Sequence, residues 1–255
     1  PENAEIRNLI IDGTVDIQNG DKAFNSPFSV YNTKGRVEME NVISNVNITY
    51  GLNTNRFQSV SGLWQKADKG SSFKDVTYNG TIFVEDDALI DYMGGIVGSA
   101  TNTTFENVVN NGDIICLGQI TTLGYTMEEK VVDGKKVTEA VPYIIEEKKD
   151  NKKTTYQSHN DEKFQLGGFV GQASGCTFID CVNNGSIVYA GMKNTTQIDA
   201  TTVTLDAEGK ETGEKTTAVK RKANIEVEYI GGFAGTAGGE CVFTNCQNNA
   251  LIVLN

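Results

Sequence analysis

The densest group of chemistry-bearing side chains is Glu85-Asp86-Asp87, with Asp91 four residues further on. Closely spaced carboxylates supply the hard oxygen ligands that calcium takes. Glu85, Asp86, Asp87 and Asp91 are therefore the calcium candidates of this chain, although EF-hand spacing is absent and a solvated acidic loop is the plainer expectation. Asp12, Asp75, Glu106 and Asp180 are the acids from which a glycosidase or lyase pair could be drawn. His159 is the single histidine and lies beside Asn160 and Asp161. A lone histidine in a charged stretch is expected at the surface, and it leaves a serine or cysteine nucleophile without a base. The five cysteines are Cys116, Cys176, Cys181, Cys241 and Cys246. Their C-x4-C pairs have no histidines nearby, so zinc spacing is not matched. They read as small buried apolar residues, with a disulfide as the alternative. Gly94-Gly95-x-x-Gly98 has neither the lysine nor the following helix of a phosphate loop. Sugar stacking would fall to Tyr125, Tyr143 and Tyr156, together with Trp64.

The spacing of these residues changes their meaning. Phe178-Ile179-Asp180-Cys181-Val182-Asn183-Asn184-Gly185-Ser186-Ile187 is one copy of a ten-residue block that begins at Ile6, Met39, Phe73, Phe105, Phe178 and Phe243 without a gap in any copy. The third position holds Asn8, Asn41, Asp75, Asn107, Asp180 and Asn245. The seventh holds Asp12, Asn45, Asn79, Asn111, Asn184 and Asn249. The eighth is glycine except at Val46 and Ala250. Asp75 and Asp180 thus exchange with asparagine, and Cys181 and Cys246 exchange with valine or leucine. Turn capping and core filling explain such exchanges better than catalysis does. Glycine after asparagine is expected to supply positive φ, so the turns at Val46 and Ala250 should differ locally or be strained.

A second block precedes the first: Met93-Gly94-Gly95-Ile96-Val97-Gly98, Leu166-Gly167-Gly168-Phe169-Val170-Gly171 and Ile230-Gly231-Gly232-Phe233-Ala234-Gly235, with a degraded copy at Val60-Ser61-Gly62-Leu63-Trp64. Its glycines suit strand positions where neighbouring strands come close. The basal period is about 33 residues, which signals a solenoid or array. Apolar residues alternate, helical periodicity is nearly absent, and equivalent residues recur one unit away. The expected fold is all-β: a right-handed parallel β-helix of about six coils over residues 1–255, with asparagine side chains bonded from one coil to the next. Insertions at about 119–164 and 192–222 break the period. Val131-Val132-Asp133-Gly134-Lys135-Lys136 predicts a β-hairpin in the first. Thr201–Asp206 and Thr216–Lys220, around Glu208-Gly209-Lys210, predict another in the second. The two insertions leave the repeat between the same pair of blocks, and a small shared sheet is expected. Such insertions are often a binding face, with solvated decoration as the plainer alternative.

The formal charge of −11 argues against nucleic acid and anionic membranes as partners. No apolar run approaches the length of a membrane span, and no membrane insertion is expected. The start at Pro1 and the finish inside a block at Asn255 read as a mature product or an excised piece of a longer protein.

The paired Gly-Gly-Phe-Val-Gly and Cys-x-Asn-x-Gly-x-Ile phrases resemble GLUG-type and related β-helical repeats. These occur in large surface proteins of bacteria, including adhesins and the non-catalytic regions of surface proteases. The resemblance covers residues 60–118, 165–191 and 229–255 well and 1–50 loosely. It implies a pectin-lyase-like shape, an extracellular or cell-surface location and a host glycan or extracellular protein as partner. No cofactor is expected apart from calcium at the acidic candidates above. No polysaccharide-lyase motif is present, so no catalytic residue carries over. The expected function is a non-enzymatic adhesin or binding scaffold that recognises its partner through the insertion hairpins. A polysaccharide-acting enzyme and a spacer region of a larger surface protease are the alternatives.

Overall fold

A computed structural model describes residues 3–17, 28, 36–50, 56–68, 70–85, 88–117, 120–121, 125–132, 135–142, 144–157, 164–190, 196–223 and 229–254. Among these residues every regular element is a strand. The chain separates into two compact units, one of residues 1–121, 164–192 and 227–255, the other of residues 122–163 and 193–226.

The first unit is built from three parallel sheets. The ten-residue block runs in the largest, where each copy pairs with the next in sequence order: Ile6 beside Met39, Met39 beside Phe73, Phe73 beside Phe105, Phe105 beside Phe178, and Phe178 beside Phe243. The segment before the double glycine pairs in a second sheet, with Met93 beside Leu166 and Leu166 beside Ile230. The segment after it pairs in a third, with Trp64 beside Val97, Val97 beside Val170, and Val170 beside Ala234. Among the described residues, the segments after Tyr50, after Val84 and after Phe164, and the segment from Tyr229, supply the second and third sheets in turn, and equivalent residues lie side by side.

The long strand of the second copy follows period-2 burial with one break. In Arg36–Tyr50 the buried residues are Val37 and Met39, then Val42, Ser44, Val46, Ile48 and Tyr50. The step from 39 to 42 contains one extra residue, Asn41, at φ 52°. A single left-handed residue resets the phase, so both flanking apolar side chains face inward. All six residues of this column share the conformation: Asn8, Asn41, Asp75, Asn107, Asp180 and Asn245 lie at φ 52–53°. Asparagine and aspartate tolerate that region better than other side chains. This is why Asn and Asp exchange there while the apolar neighbours persist.

The positive φ expected at the eighth position occurs only at Gly13, with φ 142°. The other glycines of that column answer a steric demand. A Cβ on Gly80 would lie 1.9 Å from the Val46 carbonyl oxygen. On Gly112 it would lie 2.0 Å from that of Gly80, and on Gly185 1.9 Å from that of Gly112. Val46 avoids the contact because its copy runs through this point as one unbroken strand, Arg36–Tyr50, whereas later copies break between Ser72–Tyr78 and Ile82–Val84 and their equivalents. Ala250 lies in an unpaired stretch, and neither it nor Val46 takes positive φ.

Two columns of rings fill the interior. Phe73, Phe105, Phe178 and Phe243 stack with centroids 5.0, 4.9 and 4.7 Å apart. Phe169 and Phe233 stack at 4.5 Å, and their edges meet the faces of the first column at 5.6–6.0 Å. Offset-parallel contacts along each column and edge-to-face contacts between columns are the favoured geometries of the aromatic quadrupole.

The second unit is antiparallel. Tyr125–Val132 and Lys135–Pro142 form the hairpin predicted around Asp133-Gly134. Thr196–Leu205 and Glu211–Ala223 form the second predicted hairpin, closed by Gly209 at φ 79° and by Lys210 N donating to Asp206 Oδ1 at 2.8 Å. A third hairpin, Ile144–Lys149 with Lys152–Gln157, was not expected. Its two-residue turn is Asp150-Asn151 at φ 52° and 56°, the double positive φ of a type I′ turn. Lys152–Gln157 also pairs with Thr196–Leu205, so the two insertions share one four-stranded sheet. Lys153 bridges it, with Nζ 2.7 Å from Glu211 and 3.3 Å from Glu146.

Candidate functional site

Few residues chosen for their chemistry come together. Asp86, Asp87, Tyr143 and His159 lie outside the described residues, as do the side chains of Tyr125 and Tyr156. Glu85 is exposed and Asp91 is 3% exposed. Among the described residues no group of three or more His, Cys, Asp or Glu side chains could hold a metal ion. Trp64, considered for sugar stacking, is buried, and its Nε1 donates to the Lys66 carbonyl at 3.0 Å.

The candidate acids have local structural partners. Asp75 and Asp180 belong to the left-handed column, and Asp75 accepts from Asn107 Nδ2 at 2.6 Å. Glu106 belongs to an exposed row, where it lies 3.2 Å from Lys74, as Glu40 lies 3.5 Å from Arg7. Its hydrogen bond raises the pKa of Lys74. Exposed pairs of this kind add little stability. Asp12 starts the outer asparagine ladder. Asn45 donates to Asp12, Asn79 to Asn45, Asn111 to Asn79, Asn184 to Asn111 and Asn249 to Asn184, at 2.6–2.8 Å.

An inner ladder lies one residue before the outer one. Asn110 and Asn183 are fully buried. Asn110 Nδ2 donates to Asn183 Oδ1 at 2.8 Å and to the Gly168 carbonyl at 2.7 Å, and Asn183 Nδ2 donates to Asn248 Oδ1 at 3.0 Å and to the Gly232 carbonyl at 2.5 Å. Cβ atoms on Gly95 and Gly168 would lie 2.5 and 2.4 Å from these amides. The second glycine of the Gly-Gly pair thus makes room for a buried asparagine of the first block.

All five cysteines are free. Cys176 and Cys241 are neighbours across the stack, and so are Cys181 and Cys246. Burial raises the thiol pKa of Cys116 and Cys176 and pushes that of Cys181 up to about 12. A thiol is near 8.5 in an unfolded chain. Folding therefore stabilises the neutral thiol. That stability is fully present below about pH 8.5 and is lost as pH rises toward the folded value. Burial raises Tyr50 and Tyr78 in the same sense. The urea midpoint should fall from pH 7 to pH 10. At pH 8 iodoacetamide should label Cys181 in urea and spare it in buffer, as read by mass spectrometry. Equal labelling would contradict the burial.

A polar cleft of about 140 Å3 lies between the second and third sheets of the first unit. Ser59 and Tyr92, neighbours in the second sheet, line one side, and Lys66, Ser99 and Gln172, successive neighbours in the third, line the other. Ser99 Oγ donates to Gln172 Oε1 at 3.2 Å, Ser59 Oγ donates to the Gln65 carbonyl at 2.6 Å, and Thr236 bonds across to Gln165. A Cβ on Gly98 would stand 2.0 Å from Ser59 Oγ, so glycine makes room for the buried Ser59 hydroxyl.

Comparison with known protein families, with curated proteins and with solved structures finds no match for this chain.

Proposed function

We propose that the first unit is a right-handed, pectin-lyase-like parallel β-helix of about six coils, akin to GLUG-type repeats. It serves as the rigid scaffold of a non-enzymatic binding module at an extracellular bacterial surface, and the insertion hairpins form the recognition surface. The observation that carries this reading is the sheet of the second unit. Two insertions, far apart in sequence but leaving the repeat between the same two blocks, pair into one sheet through Lys152–Gln157 and Thr196–Leu205. Insertions gathered in this way are the usual means by which a regular scaffold acquires specificity. The turn and ladder roles of Asp12, Asp75 and Asp180 favour a structural use of the acids over catalysis. The partner is a host glycan or an extracellular protein. Deleting 119–163 and 192–222 should leave a cooperatively unfolding protein that has lost the signals the intact chain gives on an array of host glycans and extracellular proteins. Undiminished signals after both deletions would refute recognition by the hairpins.

A further inference from the structure

We infer that the open face of the last rung of the stack, residues 229–254, docks a further rung of the same repeat, carried by a partner polypeptide and added in parallel. The surface lies wholly within the first unit, and the insertion hairpins take no part in it.

The face is an unguarded apolar edge. Its strands are Tyr229–Gly231, Ala234–Gly238, Val242–Thr244, Gln247–Asn248 and Ile252–Leu254. Among the described residues each of them ends its sheet, paired on one side alone. Phe243, Ile252 and Leu254 are 45%, 37% and 48% exposed, although their neighbours one rung earlier, Phe178, Ile187 and Tyr189, are fully buried. The end of a solenoid normally carries a polar outer face, and an unpaired strand is normally guarded by charges or proline. Residues 229–254 hold a single charged side chain, Glu240, and no proline. The opposite end is guarded, since Asn3–Ile17 carries Glu5, Arg7, Asp12 and Asp16.

The two amide ladders select what fits. A carboxylate only accepts, so Asp12 sets the direction of the outer ladder, in which every amide donates toward the first rung. Asn249 commits its Nδ2 to Asn184 and leaves its Oδ1 at the open end. The Gly168 and Gly232 carbonyls set the inner ladder the other way, with Asn110 and Asn183 donating toward the last rung. Asn248 Oδ1 accepts from Asn183, which leaves Asn248 Nδ2 as the leading donor. The face therefore asks for one amide donor and one carbonyl at adjacent places. A rung with an Asn-Gly pair and a Gly-Gly pair brings both, and its phenylalanine extends the ring column that Phe243 ends. Adding such a strand to an open sheet edge is a general mode of peptide recognition. The first rung of a second copy of this chain fits poorly. Its Asp12 cannot donate to Asn249 Oδ1, and residues 1–35 hold no Gly-Gly pair.

The test uses the intact chain, isotope-labelled, and a peptide of residues 164–190 carrying Cys176→Ala and Cys181→Val. The peptide is offered free and also joined behind Asn255 by a flexible linker. Ordering a free peptide consumes binding energy, and the tether raises its effective concentration to about the mM range. Either form should shift the amide signals of residues 229–254, including the side-chain amides of Asn248 and Asn249. Asn184→Asp in the peptide removes the donor for Asn249 Oδ1. Asn248→Asp in the chain keeps the oxygen that Asn183 reaches and removes the leading Nδ2. Each should lower the docking equilibrium about tenfold or more, with native dispersion of the chain confirmed. A scrambled peptide and the Asn3–Ile17 peptide should leave the signals in place. The inference is overturned if neither form of the peptide shifts those signals, if either control shifts them equally, or if the aspartate variants dock as the parent does. It is also overturned if the unmixed chain dimerises in sedimentation and Asn248→Asp abolishes the dimer, which would make a second copy the occupant. Array binding by the hairpins enters none of these readouts, so the two readings can fail separately.

Discussion

Asn183→Leu should lower the unfolding free energy by about 4 kcal/mol, measured as a shift of the urea midpoint at constant slope. The side chain is fully buried and sits in the middle of the inner ladder. Leucine is similar in size but leaves the Gly232 carbonyl and Asn248 Oδ1 without the amide that reaches them at 2.5 and 3.0 Å, while Asn110 Nδ2 loses the Oδ1 it meets at 2.8 Å and keeps the Gly168 carbonyl at 2.7 Å. Each orphaned buried group costs about 1–3 kcal/mol. The extra branching also presses on Gly168, whose missing Cβ is what admits the amide. Asn184→Leu makes the contrast. Asn184 has the same side chain and bonds to Asn111 and Asn249 at the same 2.8 Å, but it is exposed. Water replaces its lost partners, so a cost of about 1 kcal/mol is expected. Equal costs for the two variants would mean that burial does not govern the ladders.

The outer ladder could be read from the sequence because its column is Asn or Asp in all six copies, and the bonds fall where that column predicts. The inner ladder could not. Its column reads Ile11, Ser44, Tyr78, Asn110, Asn183 and Asn248, so the amide network begins only at the fourth copy and looks like variation. Tyr78 fills the same space by donating to the Val46 carbonyl at 3.1 Å. The left-handed column carried a signal that the Asn-Gly pair obscured. Asn-Gly suggests a turn with glycine at positive φ, but the left-handed residue is the Asn or Asp five positions before that glycine. Its purpose becomes visible only when the burial phase on both sides is known. The Asp150-Asn151 turn carries no such signal in the sequence, because no glycine marks it and lysines and glutamates surround it. The cleft has no sequence signature, because its lining residues flank the double-glycine block at positions of changing type. Serine and tyrosine share one side, and lysine, serine and glutamine the other, only once the strands are paired.

Phe178→Ala should be the most damaging truncation in the ring columns, at about 4–5 kcal/mol. Phe178 stacks on Phe105 at 4.9 Å and on Phe243 at 4.7 Å, and meets the edges of Phe169 at 6.0 Å and Phe233 at 5.6 Å. Removing it opens a ring-sized cavity between four rigid neighbours, none of which can collapse into it without breaking its own stack. Phe243→Ala removes the same atoms from the same column, but Phe243 is 45% exposed and, among the described rings, meets Phe178 and Phe233. With a side chain 45% exposed, about half the apolar area is at stake and solvent can fill the gap, so the expected cost is about 1–2 kcal/mol. Parallel urea titrations of the two variants measure the difference directly. A cost for Phe243→Ala matching that of Phe178→Ala would show that the outer face of Phe243 is covered in solution. The apolar residues around it, Val242 at 52% exposed and Ile252 at 37%, would then belong to a contact surface.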